Sequence, residues 1–160
     1  MPPPPFASAA SQGSHAAALA LIAEHKLRPD GTCLALALFD PLHFQRALTA
    51  EQQSALLRCL QSGIENPDCQ IGCYAVHPQD YETFSPLFRR VLAEYHGVAM
   101  DARHANDWRL ERTLDLKTLG LLPLSIRVRV ARNLSEFPLP AGMSRADRIA
   151  LEARMCTAFE

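Results

Sequence analysis

Four stretches of this chain set apolar residues and helix formers in helical order, and one sets them in strand alternation. "SHAAALALIAEHKL" is dense in Ala and Leu, with Ser14 available as N-cap, and predicts a helix over about residues 15–26. "RPDGT" breaks it. "CLALALFDPLHFQRAL" fits neither period cleanly, and Pro41 marks a boundary inside it. In "LTAEQQSALLRCLQSGIEN", Thr49 followed by Gln52 forms a capping-box signature, and Leu56, Leu57 and Leu60 make an apolar stripe. Gly63 is expected to end that helix.

"PDCQIGCYAVHPQD" follows as a loop with short extended pieces. In "HPQDYETFSPLFRRVLAEYHG", Pro78 suits a first helical turn and Pro86 splits the run into two helices. Phe88, Val91, Leu92 and Tyr95 then repeat at helical spacing and predict a core-facing stripe. From His96 to Leu119 the pattern fades into charged residues, which reads as a linker with a solvated surface. "LSIRVRVARN" (124–133) alternates as a strand, "EFPLPAG" turns, and "SRADRIALEARMCTAFE" is a helix with Ser144 as N-cap and Asp147 at N3, running to the last residue. A lone strand has no partner for its backbone groups. Either the chain is expected to be cut short at residue 160, or another chain completes the sheet.

Composition narrows the function classes. Hydrophobic residues make up 48% of the 160 positions, enough for a packed core. The formal charge is −1, from 16 basic and 17 acidic residues, which argues against nucleic acid or a membrane surface as a partner. Five scattered cysteines, Cys33, Cys59, Cys69, Cys73 and Cys156, fit free thiols in a reducing, cytoplasmic setting. Cys69, Cys73 and His77 lack the paired spacing of a zinc site, so no metal ligands are assigned. The uncharged opening "MPPPPFASAASQGS" predicts a disordered tail over residues 1–14 and lacks the basic residues of a targeting signal. "TCLALALF" is too short to span a bilayer.

The alternating stretch raises a chemical question. Arg127 and Arg129 fall on one strand face, about 7 Å apart, with Ile126, Val128 and Val130 on the other. Two guanidiniums so placed repel unless an anion sits between them, and a polyphosphate accepts bidentate bonds from both. An edge strand with a solvated basic face satisfies the same pattern.

"SIRVRVARNLSEFPLP" resembles the "(S/T)-R-(V/I)-R-x-(G/A)-R-(S/N)" segment of the phosphagen (ATP:guanidino) kinases. Upstream, "LTAEQQSAL", "QSGIENPDCQIGCYA" and "YETFSPLFRRVLAEYHG" are similar to three further family segments in the same order. The likeness is to the arginine-kinase type and covers about residues 48–160. It implies a mainly α chain: an all-α N-terminal domain at 15–97, a linker at 98–119, and at 120–160 the first strand and helix of a truncated α/β catalytic domain.

The implied activity is reversible transfer of the ATP γ-phosphoryl group to a guanidino substrate, most simply arginine, with Mg2+ held through the nucleotide. Arg127 and Arg129 match family arginines that hold ATP phosphates, whereas alternation turns Arg132 to the opposite face. Cys69, Gln70, Ile71, Gly72 and Tyr74 match the loop that holds the substrate's amino-acid end, and Asp68 matches a domain-closure carboxylate. Gln70 stands where the family has glycine, Ile126 where it has Thr or Ser, and Arg89–Arg90 where it has Asp-Pro. Gln70 therefore leaves another guanidine, such as taurocyamine, open as substrate. A non-catalytic interaction module, a protein-arginine kinase relative and a homodimer stay open beside the enzyme reading.

The family's guanidinium-orienting carboxylates, reactive cysteine and remaining phosphate arginines have no match here, and Cys156 does not stand at that cysteine's place. The 160-residue chain alone is therefore expected to show no phosphorylation of arginine in a coupled assay, and weak ATP affinity at best.

Overall fold

The computed structural model describes residues 10–28, 31–103, 105, 109, 118, 120, 129 and 131–159. Among them every regular element is helical: α1 (Ala10–Leu27), α2 (Leu34–Leu38), α3 (Pro41–Ala47), α4 (Ala50–Glu65), α5 (Asp80–Thr83), α6 (Ser85–His96) and α7 (Arg145–Phe159). A short 3-10 turn, Pro140–Gly142, precedes α7.

The ambiguous apolar run resolves into two helices because Asp40 and Pro41 sit between them. The Asp40 side chain accepts from the N–H groups of Leu42 and His43, and Pro41 fills a first-turn position whose N–H has no helical acceptor. α4 starts with the expected capping box: Gln52 N–H donates to Thr49 Oγ1 at 3.2 Å, and Thr49 N–H to Gln52 Oε1 at 2.9 Å. Ser144 and Asp147 make the corresponding reciprocal pair at the start of α7. Pro86 lies in the first turn of α6, which ends on Gly97 in the left-handed region, φ 62°.

Three boundaries differ from the sequence reading. α1 begins at Ala10, so the last five residues of the expected tail and the proposed cap Ser14 are helical. Pro78 precedes α5 in a turn and is not in its first helical turn. Gly63 does not end α4, which runs on to Glu65; its role is steric. The strand reading of 124–133 falls largely outside the described residues.

α2 is short, yet it packs against α1, α4 and α6 and so occupies the middle of the domain. Leu36 on α2, Ile22 on α1, Phe44 on α3, Leu60 on α4 and Val91 on α6 close over one another as the fully buried centre. The Phe39 and Phe44 rings meet at 5.4 Å. Arg90 on α6 donates to the Leu38 carbonyl at the end of α2, 3.4 Å away. Of the expected α6 stripe, Phe88 and Val91 are in the core, while Leu92 and Tyr95 are exposed on the far side.

The two aspartate caps give the helices a pH dependence. The His43 and Leu42 N–H groups hold Asp40 below its ordinary 3.8, and the Ser144 hydroxyl and N–H do the same for Asp147. A carboxylate depressed on folding stabilises the fold above its unfolded value and loses that contribution as pH falls through the folded one. Far-UV ellipticity is therefore expected to be constant above about pH 5 and to fall below 3.8. The Asp147→Ala variant should lose part of that acid step.

Candidate functional site

The loop from Asp68 to Tyr74 lies on α4 and on the start of α2, and two glycines set how closely. Gly63 faces Gly72 backbone to backbone: a Cβ on Gly63 would lie 2.6 Å from the Gly72 carbonyl oxygen. Gly72 itself has φ +74°, and a Cβ there would fall 2.0 Å from Cys33 Sγ. Only glycine at both positions lets the loop sit directly on the helix.

That contact pins the loop through its carbonyls. Leu34 and Ala35 N–H, in the first turn of α2, donate to the Gln70 and Ile71 carbonyls at 2.8 and 3.0 Å. Gly63 N–H donates to the Gly72 carbonyl at 3.1 Å, and Thr32 Oγ1 to the Asp68 carbonyl at 3.0 Å. At the far end Tyr74 N–H donates to the Cys59 carbonyl at 2.8 Å. The exit is held by Asp80, 8% exposed, whose Oδ2 accepts from Val76 and His77 N–H, both at 2.8 Å, and from the Cys59 thiol at 3.5 Å. Leu139 N–H donates to the Val76 carbonyl at 3.1 Å, tying the segment before α7 to the same strip.

With the carbonyls engaged, the loop's donors are left over. The N–H groups of Gln70, Ile71, Gly72 and Cys73 donate to no protein acceptor among the described residues. These four N–H groups and the Tyr74 hydroxyl, on a ring that is 53% exposed, are the loop's candidate donors to an anionic group.

Thiols pack against the loop. Cys33 is fully buried and donates towards the Ile71 carbonyl at 4.0 Å; Cys69 Sγ is 3.8 Å from Cys33 Sγ. Burial pushes Cys73 up to about 12, and burial followed by the Asp80 charge does the same to Cys59. Burial and the contact with Cys33 raise Cys69 to about 11. Cys59, Cys69 and Cys73 stay protonated at neutral pH. Among the described residues no group of three or more His, Cys, Asp or Glu could hold a metal ion, and no helix is long and apolar enough to cross a membrane.

The structure thus brings Cys69, Gln70, Ile71, Gly72 and Tyr74 together on one loop, with the Asp68 side chain exposed at its start. Arg127 lies outside the described residues. Arg129 is described and exposed; Arg132 is exposed and donates to the Ala131 carbonyl at 2.7 Å. Sequence reasoning missed Gly63, Asp80 and Cys33. A buried aspartate following "AVHPQ" and a glycine inside a good helical run were the signals available.

Residues 33–93 match the family described as ATP:guanido phosphotransferase, N-terminal domain. The arginine kinase of Anthopleura japonica is 34% identical over 121 residues, 74% of this chain and 16% of that protein. That of Limulus polyphemus is 39% identical over 88 residues, 53% of this chain and 25% of its own. That of Penaeus monodon is 31% identical over 125 residues, 76% and 34% respectively. The chain spans only about a third or less of the length of these relatives.

Gly72 and Gly97 separate steric contact from backbone strain, since both have positive φ but nothing lies within 4 Å of a Cβ at Gly97. Gly97→Ala is expected to cost about 1 kcal/mol in urea unfolding, and Gly72→Ala about 3 kcal/mol or more, with the loop displaced.

Proposed function

We propose that this chain, whose residues 33–93 match the ATP:guanido phosphotransferase N-terminal domain, is a member of that family and that its Asp68–Tyr74 loop receives the carboxylate end of a guanidino amino acid. The observation that carries this reading is the run of N–H groups from Gln70 to Cys73 that have no protein acceptor among the described residues. A carboxylate is the small anion an amino acid offers, and backbone donors hold it without any cation in the loop. Tyr74 supplies a further hydroxyl donor at the open edge. Arginine is the substrate this arrangement suits most simply. Its guanidinium would project away from the loop, to the place where phosphoryl transfer occurs. Gln70, exposed on the loop, is the residue through which another guanidine such as taurocyamine would be admitted.

The reaction proposed for the intact enzyme is transfer of the ATP γ-phosphoryl group to the guanidino nitrogen. Such a transfer asks the protein for alignment, charge neutralisation and exclusion of water more than for covalent chemistry. The loop does the first. Fixed by Thr32, Leu34, Ala35, Gly63 and Asp80, it orients one end of the substrate without having to be ordered on binding. Arg127 and Arg129 are proposed to neutralise ATP phosphates, with Mg2+ arriving on the nucleotide, and Asp68 to act on domain closure. A cytoplasmic setting suits both the nucleotide and the free thiols.

The discriminating ligand pair is arginine and agmatine, which share the guanidinium and differ in the carboxylate. Titrated into the 15N-labelled chain, arginine is expected to shift the amide signals of Gln70–Cys73, and agmatine to bind at least about tenfold more weakly with those signals unmoved. Equal shifts from both ligands would remove the carboxylate assignment. No shift from any guanidine, taurocyamine included, would favour the interaction-module reading.

A further inference from the structure

The contact between Cys33 and Cys69 lies under the loop but has no part in holding a carboxylate. Cys33 is 0% exposed, at the N-cap of α2. Cys69 is partly exposed, at the start of the loop. The two sulfurs are 3.8 Å apart across a gap of 36 positions in sequence. The remaining thiols are differently placed. Cys59 is committed to Asp80, Cys73 is buried, and Cys156 lies exposed on α7.

We infer that Cys33 and Cys69 form an oxidation site, in which a hydroperoxide converts the two thiols to a disulfide that fastens the loop to the start of α2. The order of events follows from exposure. The oxidant reaches Cys69, whose sulfur attacks the peroxide oxygen; the O–O bond breaks, an alcohol or water leaves, and Cys69 becomes a sulfenic acid. The Cys33 sulfur, already in contact, then attacks Cys69, forming the S–S bond and releasing water. Two thiols lose two protons and two electrons, and the peroxide takes them up. Closing 3.8 Å to a bond of about 2.05 Å requires side-chain rotation at one or both cysteines.

The geometry says what the bond would do. Cys33 is followed directly by Leu34 and Ala35, whose N–H groups donate to the Gln70 and Ile71 carbonyls. A bond from Cys33 to Cys69 ties the same two segments one residue further along, in parallel with those hydrogen bonds. Opening of the pair then requires the covalent link to open as well, and their amides should exchange more slowly. The effect of this fastening on a guanidino ligand rests on the function proposed above, whereas the fastening itself is read without any ligand.

The raised Cys69 value sets the kinetics. Its thiolate fraction is small at neutral pH and increases up to about 11, so reaction with peroxide should accelerate by up to roughly tenfold per pH unit between 7 and 9.

The test uses the full chain carrying Cys156→Ser, reduced and then treated with hydrogen peroxide. Peptide mapping by mass spectrometry is expected to show a Cys33–Cys69 linkage with loss of two hydrogens. Leu34 and Ala35 amides are expected to exchange several-fold more slowly than in the reduced chain. Adding Cys33→Ser should abolish the linkage and let a dimedone-type reagent trap sulfenic acid on Cys69; adding Cys73→Ser should leave the linkage intact. A linkage involving Cys73, direct passage of Cys69 to sulfinic acid, or unchanged exchange at Leu34 and Ala35 in the linked form would each overturn the inference. Failure of arginine to bind the reduced chain would strike the proposed function and leave this result standing.

Discussion

The close approach of the Gly72 backbone to Gly63 on α4 is the contact on which the rest of this domain turns. Where a side chain at either position would hold the loop away from the helix, two hydrogens let it lie against the peptide surface. Once there, its carbonyls meet the N–H groups of Gly63, Leu34 and Ala35. The latter two, at the head of α2, would otherwise have no acceptor inside their own helix. A five-residue helix has almost no intrinsic stability. α2 persists because its side chains form the middle of the core and its orphan donors are taken up by the loop. Loop and helix therefore stabilise each other, and the site is part of the domain's folding and not an appendage to it.

The polar groups buried around that contact are not equally satisfied. Asp80 is matched by two backbone donors and a thiol, enough to keep a carboxylate in a nearly closed position. His25, at the end of α1, is 4% exposed, and neither ring nitrogen has a hydrogen-bond partner among the described residues. A buried unpaired imidazole costs on the order of 1–3 kcal/mol, and the Gly31 backbone stands close against it. In the loop, by contrast, every carbonyl from Gln70 to Gly72 has a donor.

How far the sequence showed this depends on the kind of signal. The Thr49–Gln52 box, the Pro41 boundary and the Pro86 break were readable because each is local chemistry within a few residues of its effect. The role proposed for the loop rests on its likeness to a family, since "CQIGCY" alone fits many turns. Gly63 was misread for a physical reason: a glycine late in a helical run has the signature of a C-cap, and its use as a contact surface depends on Gly72, distant in sequence. Asp80, Cys33 and the free donors were hidden for the same reason. A buried partner or an unused N–H is a property of the fold, and neither leaves a mark on the string of residues. The start of α1 was lost to composition, because "ASQGS" resembles a tail until its backbone is seen to be helical.

The distribution of cysteines sharpens the distinction between packing and chemistry. All three thiols with raised values owe the shift first to burial, but they differ in what limits them. For Cys59 and Cys73 the same burial that raises the value also bars a reagent, so they act as small apolar side chains with a weak donor. Cys69 stands at the loop's open edge, where its limitation is protonation and not access. Its neighbour Cys33 has the opposite pairing of properties: no access, but a sulfur in contact. A dithiol needs one member that can be reached and one that can respond, and only this pair, placed where the loop meets α2, is shown to combine the two. A thiol chosen for packing alone would gain nothing from being partly exposed there.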